Sequence, residues 1–472
     1  MKGDFTRNTF DPFKHYTRVL MQQGRVQLDS DWNEQAAILL HYMRALAVDL
    51  IGPFGGPASN LGFKIFTGVT DQTSPPPQLL KISPADKDRL TKSGVLPLRD
   101  GDFLVSNGRY YVGGLLCEND DYSSVPEAYN IQQNGFYLAY LDVWEHFVTY
   151  LEDERMREVA LGGPDTAARA KIIWQIKTWT AKPGETGPKI DDTTKREDIV
   201  NNWNDWVRRF EATHAGQLKA QAKIPTGAEA SNPCLTSPDA RYRGAENQLY
   251  RVEIHKGGKK EEATFKWSRE NGSVIFPVLR YGDETVKLAH LGRDTRRGLK
   301  KDDWVEIFND AMILKGTLPP LFQVSSIDPM DLTVHLKAPT KQPPFTPPAN
   351  TPLFLRRWDH KGDAKMDGAV KVATTREADW ISLEDGVQVQ FPAGTTTGEV
   401  YRTGDYWLIP ARTATGDVEW PRDSNGNAIA QSPHGIEHRY APLAIIKIDT
   451  NKVASYIDCR VRIKPLVEFL TP

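Results

Sequence analysis

The sequence predicts a mainly β, multi-domain protein that is α+β overall, with short-stranded sandwich-like or barrel-like domains interrupted by a few helices. The 472 residues exceed what one domain holds at about 100–200 residues each. Short β-rich runs between turn signals fill 60–150, 240–345 and 353–472. We therefore divide the chain into an aromatic arm plus helix (1–52), a first β-domain (53–185), a helical insertion (186–235), a second β-domain (236–345) and a C-terminal β-domain (346–472).

Residues 1–28 form an arm without a regular period, in which aromatic and polar residues alternate. The arm cannot bury its rings by itself, so we expect them to lie on another surface: Phe5, Phe10, Phe13 and Tyr16. A helix is predicted next, near 31–51, because Asp29, Ser30 or Asp31 can cap it and Glu34 completes a capping box with Asp31. Its apolar positions have helical spacing: Trp32, Ala36, Leu39, Leu40, Met43, Leu46 and Leu50.

Further along the chain, β-rich runs predict strands near 62–66, 103–106, 109–112, 136–144, 249–255, 263–267, 274–279, 303–308, 332–336, 387–391, 405–409 and 443–448. Two helices are predicted between them. The first covers 165–170 and continues towards Lys177, with a strand at 172–174 as the alternative. The second is a long helix near 196–222, whose apolar stripe is typical of core or of a partner-helix surface: Ile199, Trp203, Trp206, Val207, Phe210 and Leu218.

The composition argues against several classes of function. Lys+Arg (59) and Asp+Glu (61) give a net charge of −2, whereas nucleic-acid binding proteins usually have a basic excess, so no nucleic-acid partner is expected. The three cysteines, Cys117, Cys234 and Cys459, are too far apart for a structural zinc motif and are expected to be reduced. No apolar run approaches the ~20 residues that span a bilayer, and the first residues lack a signal-peptide core. We expect synthesis in the cytoplasm without direct membrane insertion.

No motif carries credible catalytic geometry. His434 and His438 complete an H-x-x-E-H pattern, but this segment reads as a turn that enters a strand, and two His four apart face one metal only on a helix. The D-x-D-x-N start at Asp29 has Glu34 where a calcium loop needs Gly. The basic run 295–301 is flanked by aspartates and is interpreted as a solvated loop. Catalytic, cofactor and metal sites are all predicted to be absent, and the protein is predicted not to be an enzyme.

Seven stretches, distributed over nearly the whole chain, resemble an uncharacterised bacterial family, a domain of unknown function: 2–7, 16–35, 140–145, 160–166, 246–255, 265–273 and 401–412. Such proteins look like accessories of phage-tail-like contractile injection systems. The arrangement Gln-Gly-Arg followed by Asp-Trp-Asn-Glu within 16–35 is also similar to N-terminal segments of phage tail-fibre proteins. The resemblance implies a particle component that is released or membrane-associated.

Three function classes follow from these observations. The first is a non-enzymatic structural or attachment component near the baseplate, spike or fibres, with itself (as a homo-oligomer) and other particle subunits as partners. The second is a glycan-binding or glycan-hydrolysing surface protein, so contact with glycans stays open, and the third is a cargo protein. For the first class the hypothetical interface is Phe5, Phe10, Phe13, Tyr16, Trp32, Leu39, Leu40, Met43 and Leu46. The alternative is that the helix only covers its own first β-domain.

Overall fold

The computed structural model describes residues 1–67, 82–96, 103–125, 135–181, 188–210, 216–223, 241–282, 284–292, 294–339, 345–347, 351–373, 376, 379–392, 400–448 and 454–464. The chain is mostly β, multi-domain and built from several small sheets with few helices, which confirms the predicted fold class. The α-helices are α1 (Asp29–Ile51), α2 (Pro84–Lys92), α3 (Arg196–Asn201), α4 (Trp203–Phe210) and α5 (Asp310–Leu314). The 3-10 helices are Pro12–Lys14, Ala58–Asn60, Glu154–Met156, Val159–Leu161 and Ala364–Met366.

The strands follow one another along the whole described chain. They are β1 (Phe54–Pro57), β2 (Ile65–Thr67), β3 (Phe103–Val105), β4 (Gly108–Val112), β5 (Leu115–Asn119), β6 (Ser123–Val125), β7 (Gly135–Val148), β8 (Arg169–Trp179), β9 (Lys219–Ala222), β10 (Gln248–Lys256), β11 (Gly258–Lys259), β12 (Thr264–Ser268), β13 (Ile275–Gly282), β14 (Thr285–Leu288), β15 (Trp304–Phe308), β16 (Leu321–Asp328), β17 (Thr333–Lys337), β18 (Leu353–Trp358), β19 (Val370–Lys371), β20 (Ile381–Ser382), β21 (Val387–Gln390), β22 (Val400–Tyr401), β23 (Tyr406–Arg412), β24 (Asp417–Val418), β25 (Arg439–Ile448), β26 (Ala454–Asp458) and β27 (Arg462–Ile463).

The first body, which we call the N-terminal body, combines the sheets β26-β25-β7-β8, β27-β1-β4-β5 and β2-β3-β6. Helices α3 and α4 pack on it through the aromatic stripe seen in the sequence. The rings of Phe210 and Tyr140 stack 4.0 Å apart, and the indole N–H of Trp203 donates to the carbonyl of Tyr440 at 3.0 Å. Trp206 is buried in the same core. The stripe is therefore core of its own chain.

The second body, the central body, consists of a five-stranded sheet, β19-β12-β10-β23-β24, a three-stranded sheet, β20-β21-β9, and the short pair β11-β22. The inward side chains of its two larger sheets share one apolar core, which includes Tyr250, Phe265 and Trp407. Alternation along the strands places every second side chain in this core and the next one outside it. In β9 and β21, for example, the alanines and valines point inward.

The third body is a closed six-stranded antiparallel barrel in the order β13-β14-β17-β16-β15-β18, with β18 paired back to β13. Its interior is filled by aliphatic and aromatic side chains such as Val305, Ile307 and Phe322. The alternate residues of β15 face outward, towards the central body, and this direction places Glu306 between the two bodies.

Two predicted helices differ from the structure. From 165 towards Lys177 the helix is wrong and the strand alternative is correct, because Arg169–Trp179 forms β8, which pairs with β7 at eleven successive positions. The long helix near 196–222 consists of α3 and α4, separated at Asn202, and its last residues form β9, opposite β21. Residues 211–215 lie outside the described chain. Sheet pairing over long sequence separations outweighs local helical spacing in both places.

The strands that the structure shows in 346–472, three of which were predicted, do not pair into one sheet. Strand β18 closes the barrel, β23 lies beside β10 in the central body, and β25 lies beside β7 in the N-terminal body. The end of the chain also returns to its beginning, because β27 pairs with β1 in parallel. Each of the three bodies therefore contains segments that are distant in sequence.

Candidate functional site

The arm and α1 form the most exposed apolar surface in the described chain, and their placement starts with the helix cap. Helix α1 begins at Asp29 with Leu28 as its N-cap residue, and the Asp31 carboxylate accepts a hydrogen bond from the Leu28 N–H at 3.4 Å. The predicted cap was therefore placed too late by one to three residues. Asp29 instead binds the arm, accepting from the backbone N–H of Thr6 at 3.0 Å.

One side of α1 is covered by the arm. The Thr9 hydroxyl donates to Glu34, and the N–H of Val19 donates to the Gln35 side chain at 2.8 Å. The Phe10 ring lies 5.8 Å from the His41 ring, and a small cavity of about 110 Å³ remains between arm and helix. These polar contacts hold the arm along this face of the helix.

A second side of α1 rests on the N-terminal body. The Arg44 guanidinium donates to Glu145 of β7 at 2.7 Å, and a side chain at Gly114 would collide with the Arg44 backbone. At Gly55 of β1 the contact is with a side chain, because the Cγ2 atom of Ile51 would lie 3.2 Å from an added Cβ atom. The absence of side chains at these two glycines lets the helix approach the sheet closely.

The third side of α1 is uncovered, and we call it the seam: Trp32, Ala36, Leu39, Met43, Leu46 and Leu50. Successive members are four, three, four, three and four residues apart, which at 100° per residue confines them to a stripe about 80° wide. The exposed fractions of its five large side chains lie between 53% and 79%. Alternating steps of three and four are typical of helices that pack against other helices in coiled coils. The seam contains no charged residue.

The structure separates the nine predicted interface residues into two groups. Phe5 packs edge-on against Phe147 at 5.6 Å and, like Phe10, is half-buried on its own chain. The others are exposed: Phe13, Tyr16, Trp32, Leu39, Leu40, Met43 and Leu46. Sequence reasoning missed further exposed apolar residues of the arm and helix: Leu20, Met21, Val26, Leu28, Tyr42 and Leu50 as an interface member. The sequence already contained these apolar residues in the arm and helix, next to few other apolar residues that could cover them.

The first residues of the arm are fixed at the junction of the central body and the barrel. The Lys2 ammonium lies 2.8 Å from the Glu253 carboxylate, and the Asn271 amide donates to the Gly3 carbonyl at 2.9 Å. Farther on, Arg7 pairs with Glu419 at 3.0 Å. The arm therefore crosses the central body before it reaches α1.

Behind Lys2 lies a buried ionic cluster that sequence reasoning could not find, because its members come from separate strands. Glu253 and Lys266 are cross-strand partners in the central body, and Lys266 also contacts Glu306 of the barrel. Burial would raise the pKa of both glutamates, but the surrounding cations hold the pKa of each well below its usual value. Both carboxylates are thus charged, and the Lys266 ammonium between them links the central body to the barrel through charge-assisted contacts.

A family model covers almost the whole chain, in two overlapping matches over residues 1–198 and 189–470. The chain belongs to the family of unknown function DUF6519. This agrees with the coarser part of the resemblance, an uncharacterised family. No curated protein and no solved structure matches the chain.

A second ionic cluster in this DUF6519 member surrounds Glu384, which lies between β20 and β21 of the central body. Tyr250 donates to one of its oxygens at 3.1 Å and Arg269 to the other at 2.7 Å. Burial, together with Asp359 and Asp385, raises the pKa of Glu384 to about 7 against the effect of Arg269. A carboxyl group of this kind is a candidate general acid. Both its oxygens, however, are held by side chains of its own chain.

The H-x-x-E-H residues lie on extended chain. The backbone of His434 forms an isolated antiparallel β-bridge with Tyr406 of β23. The Nδ1 atom of His438 lies 2.6 Å from the Asp142 carboxylate on β7. Within the described residues, no three His, Cys, Asp or Glu side chains are grouped to hold a metal ion. None of the described helices is sufficiently long and apolar to cross a membrane. Cys117 and Cys459 are buried free thiols, whereas Cys234 lies outside the described residues.

Proposed function

We propose that this protein is a non-enzymatic structural or attachment component of a contractile, phage-tail-like particle, assembled through the arm and α1. The observation that carries the proposal is the seam, because a solvent-exposed stripe with coiled-coil spacing is unusual on a chain that has three filled cores of its own. The particle context rests on the sequence resemblance alone.

The occupant of the seam is the same helix of further copies of this chain. Its spacing is that of a self-packing helix, and the absence of charge from all six positions suits burial against an identical stripe. Burying a side chain of this kind contributes about 1.5–3 kcal/mol in transfer terms, although the cost of association offsets part of the sum. The arm and the N-terminal body hold α1 from its other sides, so the seam faces partners as a fixed surface.

The test is the size of the full-length protein in solution, measured by sedimentation, for wild type and for the double variant Leu39→Asp/Met43→Asp. We expect wild type to form an oligomer and the double variant to be monomeric and folded, with a cooperative melting transition that lies lower only by the lost stabilisation from association. Met330→Asp is the matched control. Met330 is 95% exposed on a barrel loop, and the substitution likewise replaces an apolar side chain by aspartate.

A monomeric wild type would contradict self-assembly and would favour the cargo alternative. Loss of folding in the double variant would show instead that the seam belongs to the core of its own chain. The particle context is tested separately, by asking whether the tagged protein sediments in the producing bacterium with particles that have a tail-like shape in electron micrographs. A protein found only outside such particles would contradict that part of the proposal.

A further inference from the structure

An open groove of about 650 Å³ lies on the outer face of the three-stranded sheet of the central body. Its floor is formed by outward side chains of two paired strands: Lys219 and Gln221 of β9, and Gln390 of β21. Trp380 lines one part of the groove, and the segment 426–430 together with Asp423 lines another. A volume of this size is typical of small-ligand sites.

The groove is held rigidly by the layers beneath and beside it. The inward residues of the same strands, Ala220 and Val389 among them, are buried in the core of the central body. The wall at 423–430 is a tight hairpin, in which the Asp423 carboxylate accepts from the backbone N–H groups of Asn425 and Asn427 at 2.9 and 2.8 Å. A rigid groove loses little conformational entropy when a ligand binds.

The chemistry of the lining restricts the class of ligand. Lys219 and Asp423 are the two charged residues of the lining and have opposite signs, so the lining carries no net charge. This disfavours phosphate-rich, acidic and cationic ligands. The Gln221 amide donates one hydrogen to the Gln388 side chain at 3.3 Å, and its second donor and its acceptor oxygen suit the alternating hydroxyl groups of a sugar. The half-exposed Trp380 offers a flat apolar face.

We propose that this groove binds a neutral oligosaccharide, with the ring of Trp380 stacked on a sugar face and Gln221 bonded to hydroxyl groups. The register supports this arrangement, since Gln221 lies opposite Gln388 and its amide donates to that side chain at 3.3 Å, which orients it. The groove shares no residue with the seam. The proposal therefore does not depend on assembly, although it would give an attachment component something to attach to.

The experiment begins with the full-length protein on an array of neutral and acidic oligosaccharides, followed by calorimetric titration of the tightest neutral binder as a soluble oligosaccharide. We expect binding to neutral members and, because the stacked ring is lost, a roughly tenfold weaker affinity for Trp380→Ala, which corresponds to about 1.4 kcal/mol. Gln221→Ala, an outward-facing change, is expected to weaken binding as well. Melting temperatures establish that both variants are folded.

Met330→Ala is the control, because it removes an exposed apolar side chain from a barrel loop and leaves both the groove and the seam intact. A soluble oligosaccharide reports the affinity of one site, so changes of oligomeric state do not alter the result. Absence of binding to every neutral member, binding to acidic members alone, or neutral binding that neither Trp380→Ala nor Gln221→Ala weakens would each overturn the proposal.

Discussion

Arg356 and Glu306 lie directly opposite each other on β18 and β15 of the barrel, and the Arg356 guanidinium donates to the Glu306 carboxylate at 2.6 Å. Both side chains are buried, because the central body covers this part of the barrel and brings Lys266 to the same carboxylate. One glutamate is therefore the shared counter-ion of two buried cations. The junction between the two bodies depends on that charge.

Glu306→Gln is expected to destabilise the protein by about 3–5 kcal/mol, because it leaves Arg356 buried without a carboxylate partner and Lys266 with only the Glu253 carboxylate, 3.6 Å away. Chemical denaturation of the two proteins measures the difference. Glu118→Gln is the control, since the Glu118–Arg109 pair is exposed and is expected to contribute no more than about 1 kcal/mol. Equal effects of the two substitutions would contradict the role of the cluster.

Glu384 should make stability depend on pH. Its pKa is raised from an ordinary 4.5 to about 7 in the folded protein, so the protonated form is favoured by folding. Its contribution is complete below pH 4.5 and is lost as the pH rises through 7. Glu384→Gln, which cannot ionise, should therefore gain stability relative to wild type between pH 4.5 and 8. Thermal melts in this range test the sign, and a difference that stays constant or falls with pH would refute it.

Trp206 should be a large contributor to the N-terminal body, since it is 1% exposed and meets the Trp179 ring at 4.9 Å. Trp206→Ala is expected to cost about 3–5 kcal/mol through lost contacts and the cavity left behind. Trp32→Ala makes the same chemical change on the exposed seam, and the monomer should lose far less. If both variants unfold at the same denaturant concentration, the assignment of this stripe to the core is wrong.

Gly362 is packed so closely that a methyl group has no room. A Cβ atom there would lie 1.8 Å from the carbonyl oxygen of Gly368, which is backbone and cannot rotate away. We expect Gly362→Ala to destabilise the protein by about 1–3 kcal/mol or more. Gly282→Ala, in open space and without a left-handed backbone, is the control and should be nearly neutral. Chemical denaturation measures the free energy of unfolding of both variants, and an equal loss in the two would contradict the tight packing at Gly362.

Residues close in sequence allowed much of the architecture to be predicted. The period-two runs located strands such as β7, β10 and β23, and the capping residues and apolar spacing of 29–51 located α1. These elements are specified by their own side chains, because alternation and helical spacing are local properties. The seam could likewise be read from its three-and-four spacing. Its exposure could not be predicted from the sequence, because protein cores and interfaces use the same residue types.

Only the tertiary structure decided the features that residues far apart in the chain form together. The sequence of β8 left helix and strand open, and only its pairing with β7 decided for the strand; β9 was predicted as a helix end because its partner β21 lies more than 160 residues away. The clusters around Glu306 and Glu384 depend on the same long-range meeting of strands. Sequence alone located helix α1 with its apolar stripe and strands such as β7, β10 and β23. Folding decided which stripe stays uncovered, because burial depends on what the rest of the chain brings against it.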